Sequence, residues 1–118
     1  MSDTPAATNV PVEKVGGAIV ARPRVKLMDE ATFNAMTRAI EDAGGNDAAV
    51  TLLVLDLSGV TIMPSLALGR LMMMANACRE RGQTIKLAGL QPQIRRVFAV
   101  TKLDTMFEIV DSVEAAIG

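Results

Sequence analysis

The sequence contains no histidine, tryptophan or tyrosine, one cysteine and only three phenylalanines. Without histidine, the chain lacks the usual general base near neutral pH, histidine-ligated metal sites and Ser-His or Cys-His nucleophile pairs. A single cysteine excludes an internal disulfide and a metal site built from several cysteines. So few aromatic rings also disfavour a base-stacking platform or a sugar-binding cleft. We therefore expect neither enzyme activity nor a bound metal or other cofactor.

Neither sign of charge dominates, because 12 Lys and Arg residues are balanced by 13 Asp and Glu residues. This balance disfavours nucleic acid as a partner, since a binder needs a basic face to neutralise phosphates. The longest apolar runs are too short to span a bilayer, so no membrane insertion is expected. The N-terminus carries no apolar signal segment. Together with the single cysteine, these features predict a cytoplasmic protein.

Half of the 118 residues are nevertheless apolar, which is enough for the core of one domain. The polar residues 1–9 predict a flexible tail, and residues 10–118 a single folded domain. Along that domain the patterns alternate in the order ββαβαβαβα, with a hairpin turn at Gly16-Gly17. This order predicts an α/β fold with a mixed, mostly parallel sheet. We expect about five strands, the first two as an antiparallel hairpin, and about four helices.

Four local patterns place the main elements. The segment 50–55 is apolar on both faces, which is typical of a central parallel strand. Asp29 is expected to cap the first helix, and Pro92 to begin a later one. A third helix is predicted from apolar residues at helical spacing: Leu68, Leu71, Met72, Ala75 and Cys78. The helix that begins at Pro92 is expected to turn three residues inward: Ile94, Val97 and Phe98.

Binding groups in an α/β sheet gather at the carboxyl ends of the parallel strands. Three loops are expected there, at 23–28, 57–64 and 89–91, and the second leads to Ser65 at the start of a helix. Ser65 could serve only as the N-cap of that helix. It could equally be a phosphorylation site, because a helix N-terminus accommodates a phosphate.

Other candidates each have a structural alternative. Asp29 and Asp56 could form a carboxylate pair for acid–base chemistry or Mg²⁺, or could be a helix cap and a turn stabiliser. The Met72–Met74 run could fill gaps in the core or form an adaptable interface. Cys78 is expected to be buried, and Arg95-Arg96 to lie on a solvated face.

Several segments together resemble the STAS domain and, within it, the bacterial anti-sigma factor antagonists. They run from Leu53 to Leu71, Gly82 to Leu87, Ile94 to Phe98 and Leu103 to Ala116, with a weaker likeness at Leu27 and Asp29. In that family the loop before the helix ends in Asp-Ser, followed by a small residue, Gly, Leu and Gly. Ser65, Leu68 and Gly69 match this pattern. Three positions depart from it: Pro64 replaces the Asp, Leu66 the small residue and Ala67 the first Gly.

The resemblance implies a regulatory protein-binding module that sequesters an anti-sigma factor of the serine-kinase type. It implies phosphorylation of Ser65 as the switch, and weak self-association is a further expectation. The partner-binding surface is then expected to comprise Ile62, Met63, Pro64, Ser65, Leu66, Ala67, Arg70, Met28 and Asp29. The family offers two alternatives: a stressosome-type scaffold, or an accessory domain that binds a small ligand or a transporter component.

Overall fold

One mixed sheet organises the part of the chain that the computed structural model describes, residues 10–118; the predicted tail, residues 1–9, lies outside it. Within these residues, five strands lie in the order β1-β2-β3-β4-β5. Their bounds are Val12–Val15, Ala18–Ala21, Leu52–Asp56, Thr84–Ala88 and Glu108–Val110. β1 is antiparallel to β2, and every other neighbouring pair is parallel. The predicted α/β class and mostly parallel sheet are confirmed.

The described residues also form four α-helices, the number that the sequence predicts. They are α1 (Glu30–Asp42), α2 (Ser65–Glu80), α3 (Pro92–Val100) and α4 (Val113–Ile117). A short 3₁₀ helix at Leu103–Thr105 was not predicted. No helix in this part of the chain is long and apolar enough to cross a bilayer.

The N-terminal hairpin forms where the two glycines predict it. Gly16 adopts φ 60°, a left-handed conformation that costs glycine little, and Val15 then pairs with Ala18. The turn leaves β1 at the edge of the sheet. Pro11 precedes this edge strand, where its missing N–H breaks no ladder.

β3 is the central strand and is buried on both faces, as predicted. Leu53 and Leu55 point to the front face, where α1, α2 and α3 pack. Val54 points to the back face and contacts the smaller cluster that contains Val113 and Ala116 of α4. A strand covered on both sides has no solvent-facing position, which explains its nearly continuous apolar sequence.

Two predicted core positions are wrong. Met72 and Val97 are each 38% exposed rather than buried. The residues of α2 that face the core are Ala67, Leu71, Ala75 and Cys78. This face is rotated slightly relative to the predicted one: Ala67 is buried, Leu68 is only partly buried and Met72 is exposed. Cys78 is buried as predicted, and burial raises the pKa of its thiol.

Candidate functional site

Two of the three predicted loops are joined by backbone hydrogen bonds beyond the ends of β2 and β3. The carbonyl oxygen of Lys26 accepts from the N–H groups of Thr61 and Ile62, both at 2.9 Å. Met28 N donates to the Ile62 carbonyl at 3.1 Å, and Leu27 lies opposite Ile62 in a parallel bridge. This bridge extends the sheet and fixes the path of the 57–64 loop.

The third loop supports the same segment from the other side. Gln91 Nε2 donates to the Ser58 carbonyl oxygen at 2.6 Å, and Leu57 N donates to Ala88 O at 3.0 Å. Gly89 has φ 70°, and a Cβ at this position would lie 3.0 Å from the Ser58 Cβ. A glycine is therefore needed for the two loops to approach this closely. The predicted meeting of the three loops is confirmed.

Ser65 is not the N-cap of α2, so that prediction is wrong. The N-cap is Pro64, with φ −64° and ψ 163°, and no side-chain hydrogen bond caps the helix. The ψ of 163° makes Pro64 extended, so the first helical residue is Ser65. Ser65 is exposed. Its hydroxyl is thus placed beside the uncapped N–H groups at the positive end of the helix dipole.

An apolar patch surrounds Ser65, formed by Leu27, Ile62, Pro64 and Leu66. Ile62 and Leu66 are 55% and 59% exposed, which is far above the exposure of the core residues. Leu27, 41% exposed, was not predicted as a site residue. Its position within the 23–28 loop was the available signal, but its pairing with Ile62 is visible only in the folded chain.

The remaining predicted site residues lie beneath or beside this patch. Met28 and Ala67 are 1% and 3% exposed, so they support the patch from below and present little surface to a partner. Met63 is half-buried and packs against the core, whereas Asp29 is exposed. The structure therefore brings the nine predicted residues together, but two of them, Met28 and Ala67, lie in the interior.

A small apolar cleft of about 170 Å³ opens at the edge of the patch, between the first turns of α1 and α2. Phe33 and Met28 line it from one side, and Pro64, Leu66 and Ala67 from the other. Its size suits one apolar side chain of a partner. Clefts of this kind, filled by an anchoring side chain, hold the most strongly contributing contacts of many interfaces.

Arg70 forms the polar edge of the cleft and is held by contacts within the chain. Its Nη2 donates to Asn34 Oδ1 at 2.6 Å, and its Nη1 lies 3.7 Å from Glu30 Oε2. The guanidinium carbon is 5.6 Å from the centre of the Phe33 ring. These contacts hold the guanidinium in one position, so Arg70 would lose little side-chain entropy when a partner binds to it.

Asp29 and Asp56 each have a structural role of their own. Asp29 Oδ1 accepts from Thr32 N at 2.9 Å and caps α1, as predicted. Hydrogen bonds from the Thr32 side chain and backbone lower the pKa of Asp29. Asp56 lies 3.3 Å from Arg22 Nη1 and accepts from Ser58 N at 3.1 Å.

These two carboxylates do not belong to a metal-binding cluster. Within residues 10–118, no three His, Cys, Asp or Glu side chains are grouped closely enough to hold a metal ion. The contacts of Asp29 and Asp56 match those of a helix cap and a turn stabiliser.

Comparison with known proteins identifies the fold. A family model described as "Mlab, STAS domain" matches residues 23–111. An anti-sigma-factor antagonist (STAS) domain protein from Planctomyces limnophilus is similar in structure, with a TM-score of 0.77, 17% identity, and coverage of 92% of this chain and 94% of that one.

Two further solved structures share this architecture. An anti-sigma factor antagonist from Mycobacterium paratuberculosis gives a TM-score of 0.74 at 24% identity, over 92% of this chain and 89% of that one. The Bacillus cell fate determinant SpoIIAA in its phosphorylated form gives a TM-score of 0.69 at 19% identity, over 92% of this chain and 96% of that one. At such identities these likenesses show a common fold.

Proposed function

Because this chain belongs to the STAS domain family, we propose that it is a protein-binding regulator, an anti-sigma factor antagonist, rather than an enzyme. The observation that carries this proposal is the apolar patch at the carboxyl ends of β2 and β3. Its side chains remain in water although half of the chain's residues are apolar and a core is available to them. Clustered exposed apolar side chains mark a surface that packs against another protein. The similar structures named as anti-sigma factor antagonists support the choice of partner.

The patch is suited to binding because its frame is rigid before the partner arrives. The hydrogen bonds of Lys26, Met28 and Gln91 hold the loops in one conformation. A preformed loop surface avoids the ordering cost that weakens binding by flexible segments. Burial of Ile62 and Leu66 would then supply hydrophobic stabilisation of the complex.

Phosphorylation of Ser65 is proposed as the switch, with an anti-sigma factor of the serine-kinase type as the enzyme that adds the phosphate. The hydroxyl is exposed and lies at the first residue of α2, where a phosphate is electrostatically compatible with the fold. In a complex, the same phosphate would bring about two negative charges into an apolar interface. The modification would therefore release the partner without unfolding the domain. SpoIIAA, which shares the fold, has been solved in a phosphorylated form.

The test is a calorimetric titration of this protein against the anti-sigma factors of its own cell. Leu66→Asp should weaken binding at least about 10-fold, because a buried carboxylate without a partner loses its hydration. Val100→Asp is the matched control, since Val100 is 77% exposed but lies on α3 outside the patch. This control should bind like the parent.

Two results would contradict the proposal. In the first, none of the anti-sigma factors binds the parent protein. In the second, Leu66→Asp binds as tightly as Val100→Asp. Capture of a transporter component by the patch in place of an anti-sigma factor would instead support the accessory-domain alternative.

A further inference from the structure

A second cleft, of about 260 Å³, lies on the front of the sheet between α1 and α2, and no part of the proposed partner surface other than Arg70 lines it. Its floor is apolar and consists of core residues: Ile19, Phe33, Ile40, Val50 and Leu53. Apolar side chains that pack the interior of a protein are normally covered by neighbours at close-packed density. Here the neighbouring helices leave a small part of that floor in contact with solvent, at Ile40 and Leu53, which are 8% and 5% exposed.

The composition of α2 explains the opening. Ala77 faces the cleft, and its small side chain does not reach across to α1. The other side chains of α2 at this point are Met73, which is 67% exposed, and Met74, which is half-buried. Methionine is flexible and polarisable, so these two side chains can close over an apolar molecule of irregular shape.

Three charged residues line the cleft: Glu41, Arg70, which pairs with Glu30, and Arg81, near the C-terminus of α2. Arg81 lines it, and among the described residues no carboxylate lies within 4 Å of its guanidinium. Its Nε donates to Gln83 Oε1 at 3.3 Å. Gln83 is in turn anchored by hydrogen bonds from its Nε2 to Gly45 O and Val50 O, at 2.8 and 3.1 Å.

We propose that this cleft binds an amphipathic monocarboxylic acid of the medium-chain fatty acid class. The acyl chain would lie over Ile40 and Leu53, beneath Met73 and Met74, and the carboxylate would pair with Arg81. Guanidinium groups bind carboxylates through two parallel hydrogen bonds. The cleft is slightly smaller than the roughly 300–1,000 Å³ of sites for drug-sized ligands, which favours one slender chain over a ring system.

The test is calorimetric titration with decanoate, below the concentration at which it forms micelles, and with decanol. Arg81→Met should weaken decanoate binding about 10-fold, because it removes a charged hydrogen-bond donor, and leave decanol binding unchanged. Arg79→Met is the matched control: it removes the same charge from the last turn of α2 but does not line the cleft. It should bind decanoate within about 2-fold of the parent.

A second variant tests the apolar part of the cleft. Ala77→Phe should fill the space between α1 and α2 and weaken decanoate and decanol alike, with a thermal melt to show that it remains folded. If that variant does not fold, the comparison of Arg81→Met with Arg79→Met still decides the proposal.

Three results would overturn the inference. The first is that decanoate fails to saturate the parent protein. The second is that the two arginine variants lose affinity equally, which would indicate only diffuse surface charge. The third is that the parent does not bind free decanoate but sediments with phosphatidylglycerol vesicles, and that Ala77→Phe sediments with them equally. This result would assign the affinity to a lipid surface. Leu66→Asp should bind decanoate like the parent, so the test is independent of the proposed anti-sigma factor.

Discussion

Strand β3 and the segment 62–66, where the following loop joins α2, both carry apolar side chains but in opposite environments. Leu53, Val54 and Leu55 are at most 5% exposed, whereas Ile62 and Leu66, about ten residues later, are more than half exposed. Helices cover β3 on both faces, and Leu57 and Val60 at the start of the loop are also buried, but within residues 10–118 nothing covers Ile62 and Leu66 to the same extent. The comparison teaches that an apolar run builds a core only where the topology supplies a cover. Where it does not, the same residue types are available to another protein.

Side-chain truncation in the two regions should separate residues needed for folding from residues needed for binding. The strand variant should show the largest loss of folding stability. Leu55→Ala is expected to lower the free energy of unfolding by about 2–5 kcal/mol, because it leaves a cavity between β3 and the front helices. Leu66→Ala should change that free energy by less than about 0.5 kcal/mol. Urea denaturation measures both. Equal losses for the two variants would contradict the contrast between strand and loop.

A negative charge at Ser65, the first residue of α2, should weaken the complex and change the stability of the fold little. Ser65→Asp places a carboxylate at the positive end of α2, so the free energy of unfolding should stay within about 1 kcal/mol of the parent. Its affinity for the anti-sigma factor should fall at least about 10-fold, since the carboxylate would lose hydration in an apolar interface. Thermal melts and titrations of the same preparations measure the two effects. A variant that binds like the parent would show that Ser65 is not the switch.

The smallest expected effects compare the N-terminal ends of α1 and α2. Asp29→Ala should lower the melting temperature by a few degrees, because it removes the side chain that caps α1. Ser65→Ala should leave the melting temperature unchanged, because no side chain caps α2.

The Asp29 effect should also depend on pH in a defined direction. The folded-state pKa of Asp29 is lowered, so the ionised cap stabilises the fold above the ordinary pKa of the group. That contribution is lost as the pH falls through the lowered pKa. Melts at acidic pH should therefore bring Asp29→Ala and the parent together. A constant difference down to strongly acidic pH would mean that the side chain acts through packing.

The elements that could be predicted are those with a local signal. Gly16-Gly17 predicts the hairpin, Asp29 predicts the cap of α1, and the segment 50–55, apolar apart from Thr51, predicts the central strand. Each signal is contained within a few residues and agrees with the fold around it. The position of the 57–64 loop beside the other strand-end loops followed from the rule that the carboxyl ends of parallel strands lie at one edge of the sheet.

What could not be predicted depends on contacts between distant parts of the chain. Leu27 and Ile62 are separated by 35 positions in the sequence, and only the folded sheet makes them neighbours. Met72 and the alanines of α2 compete for the same face, and the close approach of helix and sheet decides which is buried. Pro64 moves the helix start by one residue, a shift within the ordinary uncertainty of element boundaries.

The bridge between Leu27 and Ile62 has an evolutionary consequence. The hydrogen bonds that Lys26 and Met28 make around it join main-chain atoms, so this part of the frame does not depend on which side chains stand at positions 27 and 62. Exposed positions such as Ile62 and Leu66 can therefore mutate with little loss of folding stability. Duplicated copies of such a domain can diverge to recognise different partners while the loop keeps its shape. The side chains that would choose a partner are thus separate from the main-chain contacts that shape the loop.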